Sequence, residues 1–267
     1  MSTLKEIGEV YYEHKEAREK LGMTRDAFNH YVKTGVITPT RIIGSHRYFA
    51  KKEIDMLAMS IEAAVLAGQS SHVEFRKATI ETQKDEFKLA TLNFGEGTAR
   101  FHEQRIDLLK RCPDMSYYLY DGNSIVASIN IVPIGHEGII KFREGERGWL
   151  LGDYVEQFTP GHPLECIIID CMTTPLVPEN RRKIYALRLL FGLGTVFIDW
   201  AHQGIEIERI LANGGTVDGR RILETARFEC LGDRKGGRRI YELEIANSDL
   251  GILNPYKEAL NEYQGLH

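Results

Sequence analysis

Two short helical patterns joined by a tight turn constrain the N-terminal part of this chain most strongly. The pattern predicts a first helix over His14–Lys20, and Gly22 suits the left-handed conformation that often follows a helix end. The Thr24 side chain can cap the start of a second helix, which we predict over Arg25–Lys33. Two helices separated by a short turn containing glycine form a helix-turn-helix unit.

The second predicted helix has an apolar side and a polar side. Its spacing predicts that the inward residues are Ala27, Phe28, Tyr31 and Val32. The outward residues can hydrogen-bond to base edges or to phosphates, and they are Arg25, Asp26, Asn29, His30 and Lys33.

A hairpin pattern follows, with its turn at Gly44-Ser45. The residues around that turn are expected to project from a wing, and they are Arg41, His46, Arg47 and Tyr48. Basic residues outnumber acidic ones in this segment, although the whole chain has a formal net charge of −4. A local basic excess on an acidic background favours contact with phosphates. The alternative interpretation is that each basic residue lies on an ordinary solvated face and does not contact DNA.

This segment resembles the winged helix-turn-helix of the MerR, BldC and excisionase group. The wing string Gly44-Ser45-His46-Arg47-Tyr48-Phe49 carries the resemblance together with the helix spacing. The resemblance implies transcription regulation through double-stranded DNA. The predicted DNA-binding residues are Thr24, Arg25, Asn29, His30, Lys33, Arg41, Ser45, His46, Arg47 and Tyr48.

A third helical pattern runs from Lys51 to about Gly68, and a polar break follows it. The break divides the chain into a DNA-binding domain over residues 1–68 and a second domain over residues 72–267. Two roles remain open for the apolar stripe of this helix: a dimer seam, or packing on the helix-turn-helix. A homodimer is expected, because regulators usually place two copies on paired half-sites.

Composition and motif spacing argue against several classes of protein. The N-terminus has no secretory pattern and no apolar run is long enough to span a bilayer, so a cytoplasmic protein without a membrane partner is expected. The four cysteines form no Cys-x-x-Cys pair, and the nine histidines show no ligand spacing. We therefore expect no metal.

From His72 onward, strand and helix patterns alternate. The predicted strands lie near 73–78, 116–120, 125–133, 166–172, 207–212, 228–231 and 239–245, and the predicted helices near 80–92, 99–111, 181–203 and 218–227. This order favours an α+β sandwich with a mixed, largely antiparallel central sheet. Two interpretations are open for a charge-rich insertion over 136–148: a solvated loop or a lid. The basic stretch 234–239 is expected to be a hairpin tip.

The order of these elements resembles the GNAT fold (Gcn5-related N-acetyltransferases). In that family a helix N-terminus after a splayed strand holds the pyrophosphate of acetyl-CoA, and here the string is Arg181-Arg182-Lys183-Ile184-Tyr185-Ala186. The resemblance implies a site for acetyl-CoA, another acyl-CoA or another small anionic ligand at Arg181, Arg182, Lys183 and Ala186. Ile184 stands where the family prefers glycine, and Leu223 where it commonly has a tyrosine general acid.

The catalytic residues stay open at this point. Residues near the family's active cleft that could do acid or base work are Glu165, Asp170, Cys171 and His202, each with a cap or an ion pair as its alternative role. We predict a sequence-specific transcription regulator whose GNAT-like domain serves as sensor or dimerisation platform. The alternative is an active N-acyltransferase tethered to DNA.

Overall fold

The computed structural model describes residues 8, 10–33, 35, 37–55, 57–58, 72–234, 238–248 and 250–266. Chain contacts divide the molecule into two compact units, Met1–Ser71 and His72–His267. Each unit has its own hydrophobic core.

The N-terminal unit combines two helices with a small sheet. Its elements are β1 (Tyr11–Glu13), α1 (His14–Lys20), α2 (Arg25–Lys33), β2 (Arg41–Ile43) and β3 (His46–Ala50). The sheet order is β1-β3-β2, and both pairings are antiparallel. Residues 51–55 and 57–58 are helical. The first two apolar residues of the third predicted helix, Ile54 and Leu57, pack on the core of this unit. The rest of its apolar stripe, and with it the choice of a dimer seam there, lies outside the described residues.

Local signals explain the ends of α1 and α2, whose bounds coincide with the predicted ones. Gly22 has φ +63°, the left-handed conformation that a side chain would disfavour. The Thr24 hydroxyl accepts a hydrogen bond from the Ala27 N–H at 3.3 Å, as an N-cap does. The core packs Phe28 against Phe49 edge to face, with ring centroids 5.3 Å apart.

Two side chains of this unit differ from expectation. Tyr48 is buried and does not project from the wing, because β3 is the central strand and Tyr48 pairs with residues of both neighbours. Tyr31 is 38% exposed although its spacing predicted an inward position. Tyr48 therefore belongs to the structure of the wing and is removed from the set of predicted DNA contacts.

The C-terminal unit is built on a seven-stranded sheet of order β4-β5-β6-β7-β8-β10-β9. Its only parallel pair among the described strands is β7–β8. The strands are β4 (Val73–Lys77), β5 (Ser116–Asp121), β6 (Ser124–Pro133), β7 (Leu164–Thr173), β8 (Ile207–Gly214), β9 (Glu229–Arg234) and β10 (Arg238–Glu244). The predicted class, a mixed α+β fold with a largely antiparallel sheet, is confirmed.

Helices cover both faces of this sheet. They are α3 (Gln83–Phe94), α4 (His102–Arg111), α5 (His136–Arg143), α6 (Glu179–His202), α7 (Val217–Thr225) and α8 (Asn254–Leu266). One face packs on α6 and α8 through residues such as Leu189, Phe197 and Tyr256. The other face packs on α4 and α5 through Leu108 and Phe142.

Three elements differ from the sequence-based expectation. The insertion over 136–148 is mainly α5, with Ile139 and Phe142 buried, so it is a packed helix and not a solvated loop. The C-terminal helix α8 was not predicted at all. Helix α6 is long and apolar enough to fit a membrane span by length and composition, but its buried side packs into the core, as expected of a core helix.

The close approach of α6 to β4 gives a test of this packing. A Cβ at Gly192 would collide with the ring of Phe75, whereas a Cβ at Gly265 in α8 would meet nothing. We expect Gly192→Ala to lower the free energy of unfolding by about 1–3 kcal/mol, since overpacking displaces the ring. Gly265→Ala is the matched control. Urea denaturation that ranks the two variants as equally stable would contradict this packing.

Candidate functional site

A gap opens in the sheet between the parallel strands β7 and β8. Their pairing runs from Leu164↔Ile207 to Ile168↔Ala212 and then stops. Beyond that point β7 continues to Thr173 paired with β6, while the end of β8 pairs with β10. Among the described strands, none pairs with the β8-facing edge of residues 169–173. This open main-chain edge can hydrogen-bond to an extended ligand.

A β-bulge lies at the apex of the gap, where the two strands part. Asn130 of β6 pairs with Asp170, but the next residue, Ile131, pairs with Ile168, so Ile169 is the extra residue of β7. Bulges redirect side chains. Here the bulge lets Asp170 reach the face covered by α3 and α4, where its carboxylate accepts from Arg105 at 3.1 Å.

Helix α6 begins a few residues after β7 ends. Pro178 is its N-cap residue, and its first turn contains Glu179. The partial positive charge of a helix N-terminus attracts anions, so this end suits a phosphate group. Glu179 opposes that attraction in part, because it adds a negative charge in the same turn.

The residues predicted to bind the cofactor divide into two groups. Arg181 donates to Asp121 at 2.8 Å and to the Tyr185 hydroxyl at 2.8 Å, so it points toward the end of β5. Hydrogen bonds from Tyr185, and then from Arg181, lower the pKa of Asp121. Strand β6 separates β5 from β7 in the sheet, and Arg181 is therefore directed away from the gap.

The other predicted cofactor residues remain near the helix start. Lys183 forms an ion pair with Glu179 at 2.8 Å, and both side chains are more than two-thirds exposed, so the pair is weak. Arg182 and Ala186 are half-buried. The positive charge that these residues offer to a phosphate comes mainly from Arg182 and Lys183.

A buried cluster of charged side chains lies behind the bulge. Arg105 of α4 donates to both carboxylate oxygens of Glu86 on α3, at 2.6 and 2.8 Å, and to Asp170 on β7. Exposure of these side chains is 1% for Arg105, 0% for Glu86 and 6% for Asp170. The guanidinium carbon of Arg105 lies 4.1 Å from the ring centroid of Trp149. We call Arg105, Glu86 and Asp170 the apex cluster.

Neutral groups surround the apex cluster and add hydrogen bonds to its carboxylates, while the buried Nε of Arg105 has no hydrogen-bond partner among the described residues. Asn130 donates to both carboxylates, Gln83 donates to Glu86, and Tyr118 donates to Gln83 at 3.1 Å. Ser116 is hydrogen-bonded to Asn130. A buried charge is tolerated only when its partners are supplied in this way.

The apex cluster has two carboxylates and one guanidinium. Burial, and then the negative charge of Asp170, raise the pKa of Glu86 to about 7. The pKa of Arg105 is raised as well: burial alone would lower it, but the charges of Asp170 and Glu86 outweigh burial. The cluster is therefore able to gain or lose a proton near neutral pH.

The other candidate acid or base residues are dispersed. Glu165, near the start of β7, forms an ion pair with Arg209 at 3.2 Å. His202 is exposed at the far end of α6. Cys171 is exposed on β7 directly after Asp170. Of the four, only Asp170 and Cys171 lie at the gap.

Sequence reasoning missed Glu86, Arg105 and Asn130. A signal for the first two was present, because each has the core spacing of its helix. Glu86 precedes the buried Leu89 and Ala90 by three and four residues, and Arg105 has the same relation to Leu108 and Leu109. A charge on the apolar side of each of two consecutive helices indicates a buried pair.

The N-terminal unit has a separate cleft of about 560 Å³ between α1, α2 and the wing. Its lining is rich in basic and polar side chains: Glu13, His14, Lys15, Arg18, Arg25, Asn29, Ser45, His46 and Arg47. The structure thus brings together five of the predicted DNA-binding residues. His30, Lys33 and Arg41 are exposed outside the cleft, and Thr24 caps α2.

Contacts within the cleft leave two arginines available. Asn29 is hydrogen-bonded to the His14 ring at 2.9 Å, which fixes its side chain. Arg18 lies 3.4 Å from Glu19. Arg25 and Arg47, by contrast, have no acidic partner among the described residues.

Comparisons with known proteins concern the fold alone. No family model matches the chain, and no curated protein matches it. An agmatine N-acetyltransferase in apo form is 10% identical with a TM-score of 0.44, over 65% of this chain and 100% of its own. GphF, a GNAT-like decarboxylase in complex with isobutyryl-CoA, is 13% identical with a TM-score of 0.45, over 64% and 98%.

A third solved structure is the PaiA N-acetyltransferase from Thermoplasma acidophilum in complex with coenzyme A. It is 11% identical with a TM-score of 0.43, over 64% of this chain and 98% of its own. All three TM-scores are below 0.5. The GNAT-like description of the C-terminal unit therefore rests on its own element order and on the parallel pair that diverges.

The apex cluster predicts a pH dependence of stability. Because folding raises the pKa of Glu86 from its ordinary value to about 7, the protonated carboxyl is favoured in the folded state. The contribution of Glu86 to the free energy of unfolding is complete below its pKa in the unfolded chain, near 4. That contribution is lost as pH rises toward about 7. Relative to Glu86→Gln, the wild type should lose about 1–3 kcal/mol of stability between pH 5 and pH 8.

Urea denaturation at both pH values measures this difference. Asp107→Asn, an exposed carboxylate on α4, is the control and should follow the wild type at both pH values. Parallel pH profiles for wild type and Glu86→Gln would show that Glu86 keeps an ordinary pKa.

Proposed function

We propose that the C-terminal unit binds an acyl-CoA in the gap between β7 and β8 and is an N-acyltransferase. The divergence of the two strands after Ile168↔Ala212 carries this proposal. It leaves an extended main-chain edge beside a helix N-terminus, which suits a ligand with amide groups along a linear arm and phosphates at one end.

The geometry orients such a ligand. Its phosphates would lie at the start of α6, near Arg182 and Lys183, at the wide end of the gap. Its pantetheine arm would follow the open edge of residues 169–173. The acyl group would then lie at the apex, beside Asp170. Acyl-CoA would supply the activated thioester, and the chain would bind, orient and exchange protons.

One element of the family pattern has no counterpart here. Leu223 is half-buried on α7 and has no proton to donate to a departing thiolate. In this proposal the thiolate takes its proton from solvent. The catalytic contribution of the chain would then come from positioning and from proton acceptance by carboxylates at the apex.

Filling the gap tests where the ligand binds. Cys171 is exposed on the diverging segment, and Cys230 is exposed on β9, which pairs with β10 alone among the described strands. We expect Cys171→Trp to weaken acetyl-CoA binding by about tenfold or more, since an indole would occupy the ligand's path. Cys230→Trp should bind as the wild type does. Calorimetric titration with acetyl-CoA measures both, and equal affinities would exclude the gap as the site.

The charges at the start of α6 give a second test. Removing both Arg182 and Lys183 by substitution with alanine should weaken acetyl-CoA binding several-fold and reduce its salt dependence, because screened charge attraction is lost. Arg181→Ala should change affinity less, since Arg181 is bound to Asp121 and points away from the gap. The reverse ranking would contradict this placement of the phosphates.

A second proposed function concerns the N-terminal unit, which we infer binds double-stranded DNA. The specific support is the cleft between α2 and the wing, with Arg25 and Arg47 free of acidic partners among the described residues. Cationic side chains on a helix and an adjoining wing are groups with which DNA-binding modules contact phosphates. Homodimerisation on paired half-sites belongs to this proposal, as does a sensor role for the C-terminal unit.

Single arginine variants test the DNA proposal. Arg25→Ala and Arg47→Ala should each weaken binding to duplex DNA by about 1–3 kcal/mol if they contact bases, and a phosphate contact should lower the salt slope by about one. Lys110→Ala, an exposed lysine of the other unit, is the control. Fluorescence anisotropy with a mixed-sequence duplex at two salt concentrations measures these effects, and unchanged binding in both arginine variants would refute the proposal.

A further inference from the structure

The seven-stranded sheet ends at β4, whose outer edge has no partner strand among the described residues. Strand β4 pairs with β5 in a continuous antiparallel register, from Val73↔Asp121 to Lys77↔Tyr117. An unpaired strand edge presents main-chain donors and acceptors to which another strand can bind. This edge is therefore a surface at which the sheet can be extended.

Two hydrogen bonds show which main-chain groups of β4 face outward. The Ala78 N–H donates to the Ser116 carbonyl at 2.9 Å, and the Gly122 N–H donates to the His72 carbonyl at 3.0 Å. Because main-chain groups alternate in direction along an antiparallel strand, the even-numbered residues of β4 bond to β5 and the odd-numbered residues face away. The outward set at the open edge is Val73, Phe75 and Lys77.

The side chains of β4 place opposite charges on either side of a central aromatic residue. Glu74 and Arg76 are both more than half exposed, and the Arg76 Nε donates to the Glu74 carboxylate at 2.8 Å. Phe75 lies between them and points to the other face of the sheet, where its ring stacks on Tyr117 with centroids 5.5 Å apart. The segment Glu74-Phe75-Arg76 is therefore complementary in charge to its own reverse.

We propose that β4 pairs antiparallel with β4 of a second copy of this chain, about a two-fold axis at Phe75. In that register the outward main-chain groups of Phe75 in the two copies bond to each other, and those of Val73 bond to the partner's Lys77. Glu74 lies opposite the partner's Arg76, at a position without main-chain bonds, where facing side chains are closest. Opposite charges and facing aromatic rings both stabilise a strand pair.

Charge selects this register over the two adjacent ones. A two-fold axis at Glu74 would bring two carboxylates face to face, and an axis at Arg76 would do the same with two guanidinium groups. Like charges directly opposite each other destabilise a strand pair. Lys77 adds no such repulsion in the proposed register, because its ammonium is paired with Asp114 at 2.5 Å and faces the apolar Val73.

The opposite edge of the sheet, at β9, is built differently. Gly232 pairs with Ile240, but the next pair is Cys230 with Tyr241, so Leu231 is an extra residue of β9. A β-bulge of this kind bends a strand and blunts its edge against pairing with another chain. Strand β4 has no register shift, so it keeps the straight edge that strand pairing requires.

The β4 dimer needs neither acyl-CoA nor DNA, so it goes beyond both proposed functions. It adds one defined interface to the homodimer that we propose for DNA binding, and it uses residues of the C-terminal unit alone. Five residues per strand form a small interface, so this dimer should dissociate on dilution.

Charge-reversal variants of the full-length chain test this pairing. Sedimentation velocity measures self-association from about 1 to about 100 μM, because small interfaces are weak. We expect the wild type to dimerise. Glu74→Arg and Arg76→Glu should each weaken dimerisation by about tenfold or more, since like charges then face each other twice. An equimolar mixture of the two variants should dimerise as the wild type does, because every facing pair is again opposite in sign.

Glu229→Arg is the matched control, because it makes the same charge reversal at an exposed position of β9. This variant should dimerise as the wild type does. Circular dichroism confirms that each variant is folded. If a single variant does not fold, the double variant Glu74→Arg, Arg76→Glu decides, since it keeps both charges: a dimer supports the pairing and a monomer overturns it.

Three results would overturn the proposed pairing. They are a wild type that is monomeric at every concentration, a mixture that associates no better than its two components, and dimerisation that is unchanged in both single variants. The last result would place the interface elsewhere and leave the homodimer proposed for DNA binding intact. Loss of DNA binding or of acetyl-CoA binding is measured separately and does not alter this outcome.

Discussion

The ion pairs of the Arg105 guanidinium are the interactions on which the C-terminal unit most depends. They connect α4 to Glu86 on α3 and to Asp170 on β7, and all three side chains lie almost completely out of water. Charges buried in this way are costly unless each has its partners. Removing one of them leaves the others uncompensated and lowers the free energy of unfolding by about 3–5 kcal/mol. The cluster therefore fixes how the two helices sit on the sheet, and it does so through geometry that an apolar contact would not specify.

That constraint also explains the shape of β7. An undistorted strand would direct Asp170 to the face covered by α6, where the packed side chains are apolar. The bulge at Ile169 turns it to the opposite face and into the hydrogen bonds of Arg105 and Asn130. The same residues mark the end of pairing with β8. The hydrogen bond from the buried arginine to Asp170 and the opening of the sheet are thus two consequences of one extra residue in one strand.

Local patterns predicted much of this fold, and long-range partners accounted for most of what was missed. The bounds of α1 and α2 follow from Gly22 and Thr24, and the succession of strands along the chain follows from the apolar patterns of the sequence. Tyr48 was misplaced because a hairpin pattern does not reveal a third strand on its other side. Glu86 and Arg105 were missed for a related reason, since helical spacing marks a buried charge but does not name a partner from another element.

The residues predicted to bind the cofactor also have partners that the local sequence pattern did not reveal. Three consecutive cations at the start of α6 suggested a phosphate site, yet Arg181 is bound to Asp121 and Lys183 to Glu179. Arg182 has its Nε buried without a hydrogen-bond partner among the described residues, so it is the cation whose bonds are least complete. Charge alone is therefore a weaker source of affinity here than the sequence implied. In the proposed acyl-CoA complex, the larger share of the affinity would come from main-chain groups, namely the helix N-terminus and the open edge of β7.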